Sequence, residues 1–194
     1  MKRSVIVGLL IASLILISRP ALISQPADSN VMAQVLEDWS RLESGYFTVY
    51  YKPDANLKRI YNRINARGFS VASNPPLSAL SGPEAKLAYR LDLIFSRVRE
   101  VLGMYPPDVH VNIKIFKSAK DVNSEYCRLT RSGNECRSFY VYSNNTIYTS
   151  EAEISDSVLA HEMTHALVDH YFSTNPPEKV AEILAQNVDL SLDE

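Results

Sequence analysis

The sequence predicts one α+β domain built on a small twisted sheet, preceded by an N-terminal segment outside the fold. Segments with a helical period of apolar residues alternate with short runs rich in β-branched and aromatic residues. Of the 194 residues, 46% are hydrophobic, which suffices for one compact core but leaves little for two. The chain also begins with two basic residues and an uncharged stretch that is typical of an export signal.

The N-terminal segment predicts export. Lys2 and Arg3 precede an apolar run over residues 5–17, as in secretory signals. A helix over this run would be about 20 Å long, short of the roughly 30 Å core of a bilayer. An Arg-Pro pair follows where cleavage needs small residues, so an uncleaved membrane anchor is the alternative. We therefore expect residues 1–24 to be a signal peptide or membrane anchor, and the protein to be periplasmic, secreted or anchored facing outside the cytoplasm.

The first half of the chain contains two predicted helices, a strand and a loop. Residues 31–42 place apolar side chains on one helical stripe, which predicts a short helix in an N-terminal extension over 25–44. The aromatic stretch that follows Gly45 predicts the first strand of a domain over 45–194. A second helix is predicted over 54–66, and the segment 68–83, rich in Ser, Gly and Pro, is predicted to be a loop.

The second half continues the alternation of helices and strands. The predicted elements are a helix over 84–102, a strand over 109–116, a helix over 118–126, a hairpin whose strands flank Asn144 and Asn145, a helix from 155 or 156 to about 172, and a last helix from 176 to about 190. Asn suits the turn of the hairpin because it tolerates a positive φ.

Two cysteines, Cys127 and Cys136, enclose a polar stretch with a Ser-Gly-Asn turn signal. In an oxidising compartment, two cysteines around such a loop are expected to form a disulfide. The loop is short, so the bond would contribute on the order of 2–3 kcal/mol. The alternative is a pair of thiolate metal ligands, but no further Cys or His has zinc-finger spacing around them.

The sequence His161-Glu162-Met163-Thr164-His165 lies in the penultimate predicted helix. Two His four positions apart lie on one helical face, so both imidazoles can reach one metal ion. The intervening Glu162 lies beside the metal and can take a proton from its bound water, whose pKa zinc lowers to about 7. The motif therefore predicts a Zn²⁺ site with Glu162 as the general base.

A catalytic zinc needs a third protein ligand. No His follows His170, which excludes a HExxHxxGxxH arrangement. Asp169 would have to reach back along its own helix, so we interpret it as a solvated group or an outer partner of a ligand. Glu178 lies in the first turn of the last helix, where an acid favours the helix dipole. Glu182, one turn further, is the preferred third ligand, with Glu178 as its rival.

At this point the sequence resembles the gluzincins, thermolysin-like zinc peptidases with two His ligands and one Glu. The resemblance is based on HEMTH and on AEILAQ (181–186), which is similar to the AEGLA-type segment of that family. It covers about residues 109–190 and implies a small zincin-like domain with an HExxH active-site helix and a C-terminal ligand helix. It also implies that the stretch 146–150 is the edge strand of the cleft, along which a peptide could bind extended.

The resemblance identifies His161, His165 and Glu182 as zinc ligands and Glu162 as the general base. Two departures accompany it. Gln186 occupies the position where these enzymes commonly have an Asp that supports a His ligand. The chain ends at Glu194, so a minimal form without a large C-terminal subdomain is implied. The oxyanion-stabilising candidates are then tyrosines of this domain, namely Tyr140, Tyr142, Tyr148 and Tyr171.

The expected function is that of an exported zinc metallopeptidase, a hydrolase acting on a peptide or protein substrate. The alternative is a non-catalytic zinc-binding or scaffold protein that retains the zincin fold. A nucleic-acid partner is excluded because the net charge is -2 and the Lys and Arg residues are scattered along the chain.

Overall fold

A computed structural model describes residues 39–66, 79–131 and 135–192. The predicted signal peptide or anchor over 1–24 and most of the predicted loop over 68–83 lie outside these residues. The described residues form an α+β fold with five α-helices and a mixed five-stranded sheet, which confirms the predicted α+β class. No helix within these three ranges is both long and apolar enough to cross a membrane.

The sheet has a parallel centre and antiparallel edges. Its strands are β1 (Ser40–Glu43), β2 (Phe47–Tyr51), β3 (Val111–Phe116), β4 (Phe139–Val141) and β5 (Thr146–Ser150). They lie in the order β1-β2-β3-β5-β4. The pairs β2–β3 and β3–β5 are parallel, whereas β1 and β4 pair antiparallel with their neighbours. The hairpin predicted around Asn145 is confirmed, and Asn145 has a φ of 50° in the turn.

The helices begin and end close to their predicted positions. They are α1 (Leu57–Arg63), α2 (Gly82–Leu102), α3 (Ala119–Thr130), α4 (Asp156–Tyr171) and α5 (Glu178–Leu192). A capping box of Ser118 and Asp121 begins α3, and the Ser155 side chain accepts from the Val158 N–H at the start of α4. Gly103, with a φ of 62°, ends α2 in the left-handed conformation that glycine adopts readily.

The helix predicted over 31–42 is wrong for the part that the structure describes. Ser40–Glu43 is strand β1, in which Leu42 is buried while Arg41 and Glu43 are exposed, an alternation with the period of a strand. The Ser44-Gly45 turn then brings β1 antiparallel to β2, with Glu43 opposite Thr48. The apolar stripe did not identify the structure correctly, because the two-residue period of a strand fits the same residues as the helical period. The domain therefore includes residues that were predicted to belong to an extension.

The two faces of the sheet are covered by different helices. Alternate side chains of β2, β3 and β5 pack with α2 and α4 in the main core, where Ile113, Ile147 and Phe95 are fully buried. On the other face, α3 covers β4 and β5 through a smaller cluster that includes Val122 and Phe139. Helices α4 and α5 pack against each other on the main-core side, and this contact creates the candidate site.

The predicted disulfide is not present in the structure. Cys127 and Cys136 are both free cysteines, and each is half-buried. The Cys136 thiol donates to the Ser138 carbonyl (2.9 Å) and its N–H donates to the Asn123 side chain (3.1 Å). Burial raises the pKa of the Cys136 thiol to about 11. Disulfide formation would require this thiol to leave the Ser138 carbonyl, and the pairing stays a prediction.

Candidate metal centre

Helix α4 presents its two histidines on the side that faces α5. Leu159, Met163 and Ala166 are fully buried in the main core and fix the rotation of the helix. With this rotation, His165 is buried (7% exposed) and His161, one turn nearer the N-terminus, is half-buried. Their rings lie edge to face with centroids 5.0 Å apart. The two histidines therefore lie on one helical face, as their four-residue spacing predicts.

Helix α5 brings Glu182 to the two imidazoles. Ala181, Ala185 and Val188 are the buried residues of α5, and the two alanines leave room for a close approach to α4. Val180, which precedes Ala181, is 43% exposed and does not take part in this packing. Of the three acids considered as third ligand, Glu182 is the one that joins the histidines in a cluster able to hold a metal ion.

The distances from Glu182 to the two imidazoles are longer than direct hydrogen bonds and close to the spacing of two ligands on one zinc ion. His161 Nε2 lies 3.6 Å from Glu182 Oε2, and His165 Nε2 lies 3.4 Å from Glu182 Oε1. Ligand atoms placed about 2.1 Å from a tetrahedral ion are about 3.4 Å apart. A direct N–H···O bond would be about 2.9 Å long. The donor set, two imidazole nitrogens and a carboxylate, is also one that zinc accepts.

His161 has an outer partner that the sequence reasoning missed. Asp189 Oδ2 lies 3.1 Å from His161 Nδ1, on the side of the ring away from Glu182. Carboxylates in this position fix the orientation and tautomer of a metal-binding His. Asp189 follows Glu182 by seven residues, two helical turns, so both lie on one face of α5. That spacing is the signal that could have identified Asp189.

The two residues considered for this outer role lie elsewhere. Gln186, proposed from the family pattern, is exposed on α5. Asp169 accepts hydrogen bonds from the Tyr140 hydroxyl (2.8 Å) and the Asn175 amide (3.0 Å), so it stabilises the end of α4. Glu178, the rival third ligand, is exposed in the first turn of α5. Its position fits the dipole role that the sequence also allowed.

His165 differs from His161 in its surroundings. Burial, followed by the charge of His161, lowers the pKa of His165 to about 4, so its imidazole is neutral and can act as a ligand. Its Nδ1 is buried and has no hydrogen-bond partner among the described residues. Burial also lowers the pKa of His161, but the Asp189 hydrogen bond and three nearby carboxylates raise it above the ordinary value.

Glu162 lies beside this cluster in a buried position (7% exposed). Burial raises the pKa of Glu162 to about 7; His161 and the Tyr140 backbone N–H act in the opposite direction. The Ser138 hydroxyl is also close to this carboxylate, but it donates to the Tyr148 carbonyl (2.9 Å). Glu162 and His161 therefore line one pocket, together with Asp189 of α5 and with Arg137 and Ser138 from the segment before β4.

The edge strand next to the site is β4, and the prediction that 146–150 forms this edge is wrong. Strand β5 lies inside the sheet, between β3 and β4. A hairpin pattern does not show which of its strands pairs with the rest of the sheet, and here β5 takes the inner place. Because the Tyr140 N–H faces the Glu162 carboxylate, β4 directs backbone groups toward the site.

Among the described residues, the hydroxyls of Tyr140, Tyr148 and Tyr171 form no hydrogen bond with His161, His165 or Glu182. Tyr140 donates to Asp169, and the Tyr148 hydroxyl accepts from Asn144 on the other face of the sheet. Tyr171 is 47% exposed at the end of α4. Tyr142, the fourth candidate, lies in a short 3₁₀ helix after β4.

Comparisons with known protein families, with curated proteins and with solved structures give no match. The interpretation of this site therefore depends on the motif and on the geometry of its residues.

Proposed function

We propose that this protein is a zinc-dependent peptidase of the zincin type that acts outside the cytoplasm. The convergence of His161, His165 and Glu182 from two helices, with Glu162 beside them, carries the proposal. The two oxygens of Glu182 lie 3.6 Å from His161 Nε2 and 3.4 Å from His165 Nε2, and one ligand atom of each residue lies within 4.8 Å of the others. The N-terminal sequence supports the location, because it has the pattern of an export signal.

Each residue has a defined task in this proposal. His161, His165 and Glu182 would hold the zinc ion, and Asp189 would keep the His161 ring in its ligating orientation. A bound zinc ion supplies a Lewis acid for the scissile carbonyl and lowers the pKa of a water to about 7. Glu162 accepts the proton of the attacking water and returns it to the leaving amine.

The architecture supports a zincin-like domain. The mixed sheet ends in a short antiparallel strand, β4, that borders the motif helix. One edge of β4 pairs with β5, and its other side lies next to Glu162. An extended substrate backbone can add to such an edge by main-chain hydrogen bonds. The scissile bond would then lie between β4 and the ligands on α4.

A second candidate function is a zinc-binding protein without turnover. Two observations favour it. The hydroxyls of Tyr140 and Tyr148 are held by hydrogen bonds away from the cluster, so neither is placed to stabilise an oxyanion. The Nδ1 atom of His165 also lacks the outer partner that His161 has.

The variant Glu162→Gln separates the two functions. We expect the wild-type protein to bind one zinc ion per chain and to cleave members of a mixed peptide library. Glu162→Gln should retain the zinc and lose about 10²- to 10⁴-fold in kcat, because it removes the general base. Zinc is measured by mass spectrometry of the metal and cleavage by mass spectrometry of the peptides.

The control for this experiment is Glu178→Gln, an exposed acid on α5 that lies outside the cluster and should leave both properties unchanged. Full activity in Glu162→Gln would refute the mechanism. Stoichiometric zinc with no cleavage by the wild-type protein would instead support the non-catalytic function.

A further inference from the structure

A cavity opens beside the cluster, on the side of the N-terminal turns of α4. Its volume is about 220 Å³. Arg137 and Ser138, from the segment before β4, form one wall, and Ser157 and Val158 of α4 form another. His161 and Glu162 lie at its inner end. Drug-sized ligands occupy cavities of about 300–1,000 Å³, so this smaller space suits a single amino-acid side chain.

Arg137 gives the cavity a permanent positive charge. Its side chain is 84% exposed, and the nearest carboxylate is that of Glu153, whose Oε2 lies 3.9 Å from Arg137 Nε. An exposed pair at this distance contributes little, so the guanidinium can exchange Glu153 for another carboxylate. Arg presents a planar set of N–H donors that matches a carboxylate in two parallel hydrogen bonds.

The two carboxylates that line the cavity have donors of their own within the protein. Asp189 faces His161 Nδ1 at 3.1 Å, and Glu162 accepts from the backbone N–H of Tyr140. Arg137 is the one Lys or Arg side chain that lines the cavity within the described residues. The hydroxyl of Ser157, which is exposed at the opposite wall, adds a neutral donor. A ligand with one carboxylate therefore fits the wall formed by Arg137 and Ser157.

We propose that this cavity is a substrate subsite for an acidic side chain, Asp or Glu, next to the scissile bond, with Arg137 as the residue that determines this preference. The proposal rests on the proposed peptidase function, because His161 and Glu162 close the inner end of the same cavity. The net charge of the chain is -2, so the protein as a whole does not attract an acidic peptide electrostatically. A preference for acids must come from this local cation.

The first experiment maps the residues that flank each bond cut in a mixed peptide library. For the zinc-loaded wild-type protein we expect Asp and Glu to be enriched roughly fivefold over Asn and Gln at one fixed position. Arg137→Gln should abolish this enrichment, and Arg137→Glu should replace it with enrichment of Lys and Arg. Glu153→Gln should increase it, because it removes the competing carboxylate. Enrichment that persists in Arg137→Glu, or no enrichment in a library that is cut, would overturn the proposal.

The second experiment measures binding instead of cleavage. Fluorescein-labelled Ala-Glu-Ala-Glu-Ala-Glu-Ala and its Gln and Lys counterparts are titrated by anisotropy against zinc-loaded Glu162→Gln. The Glu peptide should bind roughly fivefold more tightly than the Gln peptide, and Arg137→Gln in this background should remove the difference. Arg128→Gln changes the net charge equally on α3, outside this cavity, and should retain it.

The two experiments distinguish failure of the subsite from failure of the proposed function. If the wild-type protein cuts no peptide, the peptidase proposal fails, and the binding ratio alone then tests the subsite. Equal binding of the Glu and Gln peptides, or an equal loss of preference in Arg128→Gln, would overturn the assignment of Arg137.

Discussion

Two polar clusters of this protein use carboxylates in opposite ways. At the turn between β1 and β2, Asp92 of α2 accepts from the Ser44 hydroxyl (2.8 Å) and from the N–H groups of Gly45 (2.8 Å) and Tyr46 (3.2 Å). Between α4 and α5, Glu182 faces two imidazole nitrogens at 3.4 and 3.6 Å. The first cluster pairs an acceptor with donors, whereas the second brings together three side chains that could hold a metal ion.

In the proposed function, the first cluster serves stability and the second serves zinc binding. The Asp92 carboxylate accepts from three donors of the turn, of which the Ser44 hydroxyl and the Tyr46 N–H are half-buried, and a hydrogen bond to a charged group contributes up to about 3 kcal/mol. A Cβ at position 45 would lie 3.1 Å from Asp92 Oδ2, so glycine allows the close approach. The contacts around Glu182 are longer than hydrogen bonds, and in the proposed function a zinc ion would lie among these groups.

The largest effect is expected from Glu182→Ala. It removes a proposed ligand, so zinc affinity should fall by more than the roughly 10- to 100-fold that an outer partner contributes. Glu182 is 40% exposed, and its loss should change the free energy of unfolding of the metal-free protein by less than about 0.5 kcal/mol. Isothermal titration with zinc and urea unfolding in chelator measure the two quantities. The matched control is Glu178→Ala on the same helix, and loss of zinc in that variant would show the ligand assignment to be wrong.

The next effect concerns stability alone. Asp92→Ala leaves the N–H groups of Gly45 and Tyr46 without their partner and should lower the free energy of unfolding by about 2–3 kcal/mol. The folded variant should still bind one zinc ion per chain. Asp92→Asn keeps one acceptor oxygen and should lose less. Urea unfolding of all three proteins provides the measurement; equal stability of wild type and Asp92→Ala would remove the contrast between the clusters.

A smaller effect is expected at the outer partner of His161. Asp189→Asn keeps the shape of the side chain but removes the charge, and zinc affinity should fall about 10- to 100-fold. Gln186→Ala is the matched control, because Gln186 is exposed on the same helix and was the position that the family pattern indicated. Competition with a chelator of known affinity measures both variants. A larger loss in Gln186→Ala than in Asp189→Asn would reverse the assignment.

Much of the fold followed from local sequence patterns. The long apolar stripe of α2, the alternation in β3 and the asparagine turn of the hairpin are local signals, and the structure has these elements at the predicted positions. The prediction failed at Ser40–Glu43, where a helical and a strand period fit the same few residues. Pairing with β2 stabilises the strand conformation of these residues, and no local sequence pattern indicates this contact.

The residues of the candidate site also divide into those that local sequence predicts and those that depend on the tertiary structure. The helical rise and twist place His161 and His165 on one face of any helix, so the sequence by itself determined that pair and the adjacent Glu162. The sequence favoured Glu182 as the third member and left Glu178 as its rival, and the tertiary structure brings Glu182 to the pair. The tertiary structure also decided that Asp189, and not Gln186, lies beside His161 and that β4 is the edge strand next to the site. These choices depend on how α5 packs on α4 and on the order of strands in the sheet. Both are set by burial of side chains that are distant in sequence, and such contacts leave no fixed spacing in the chain.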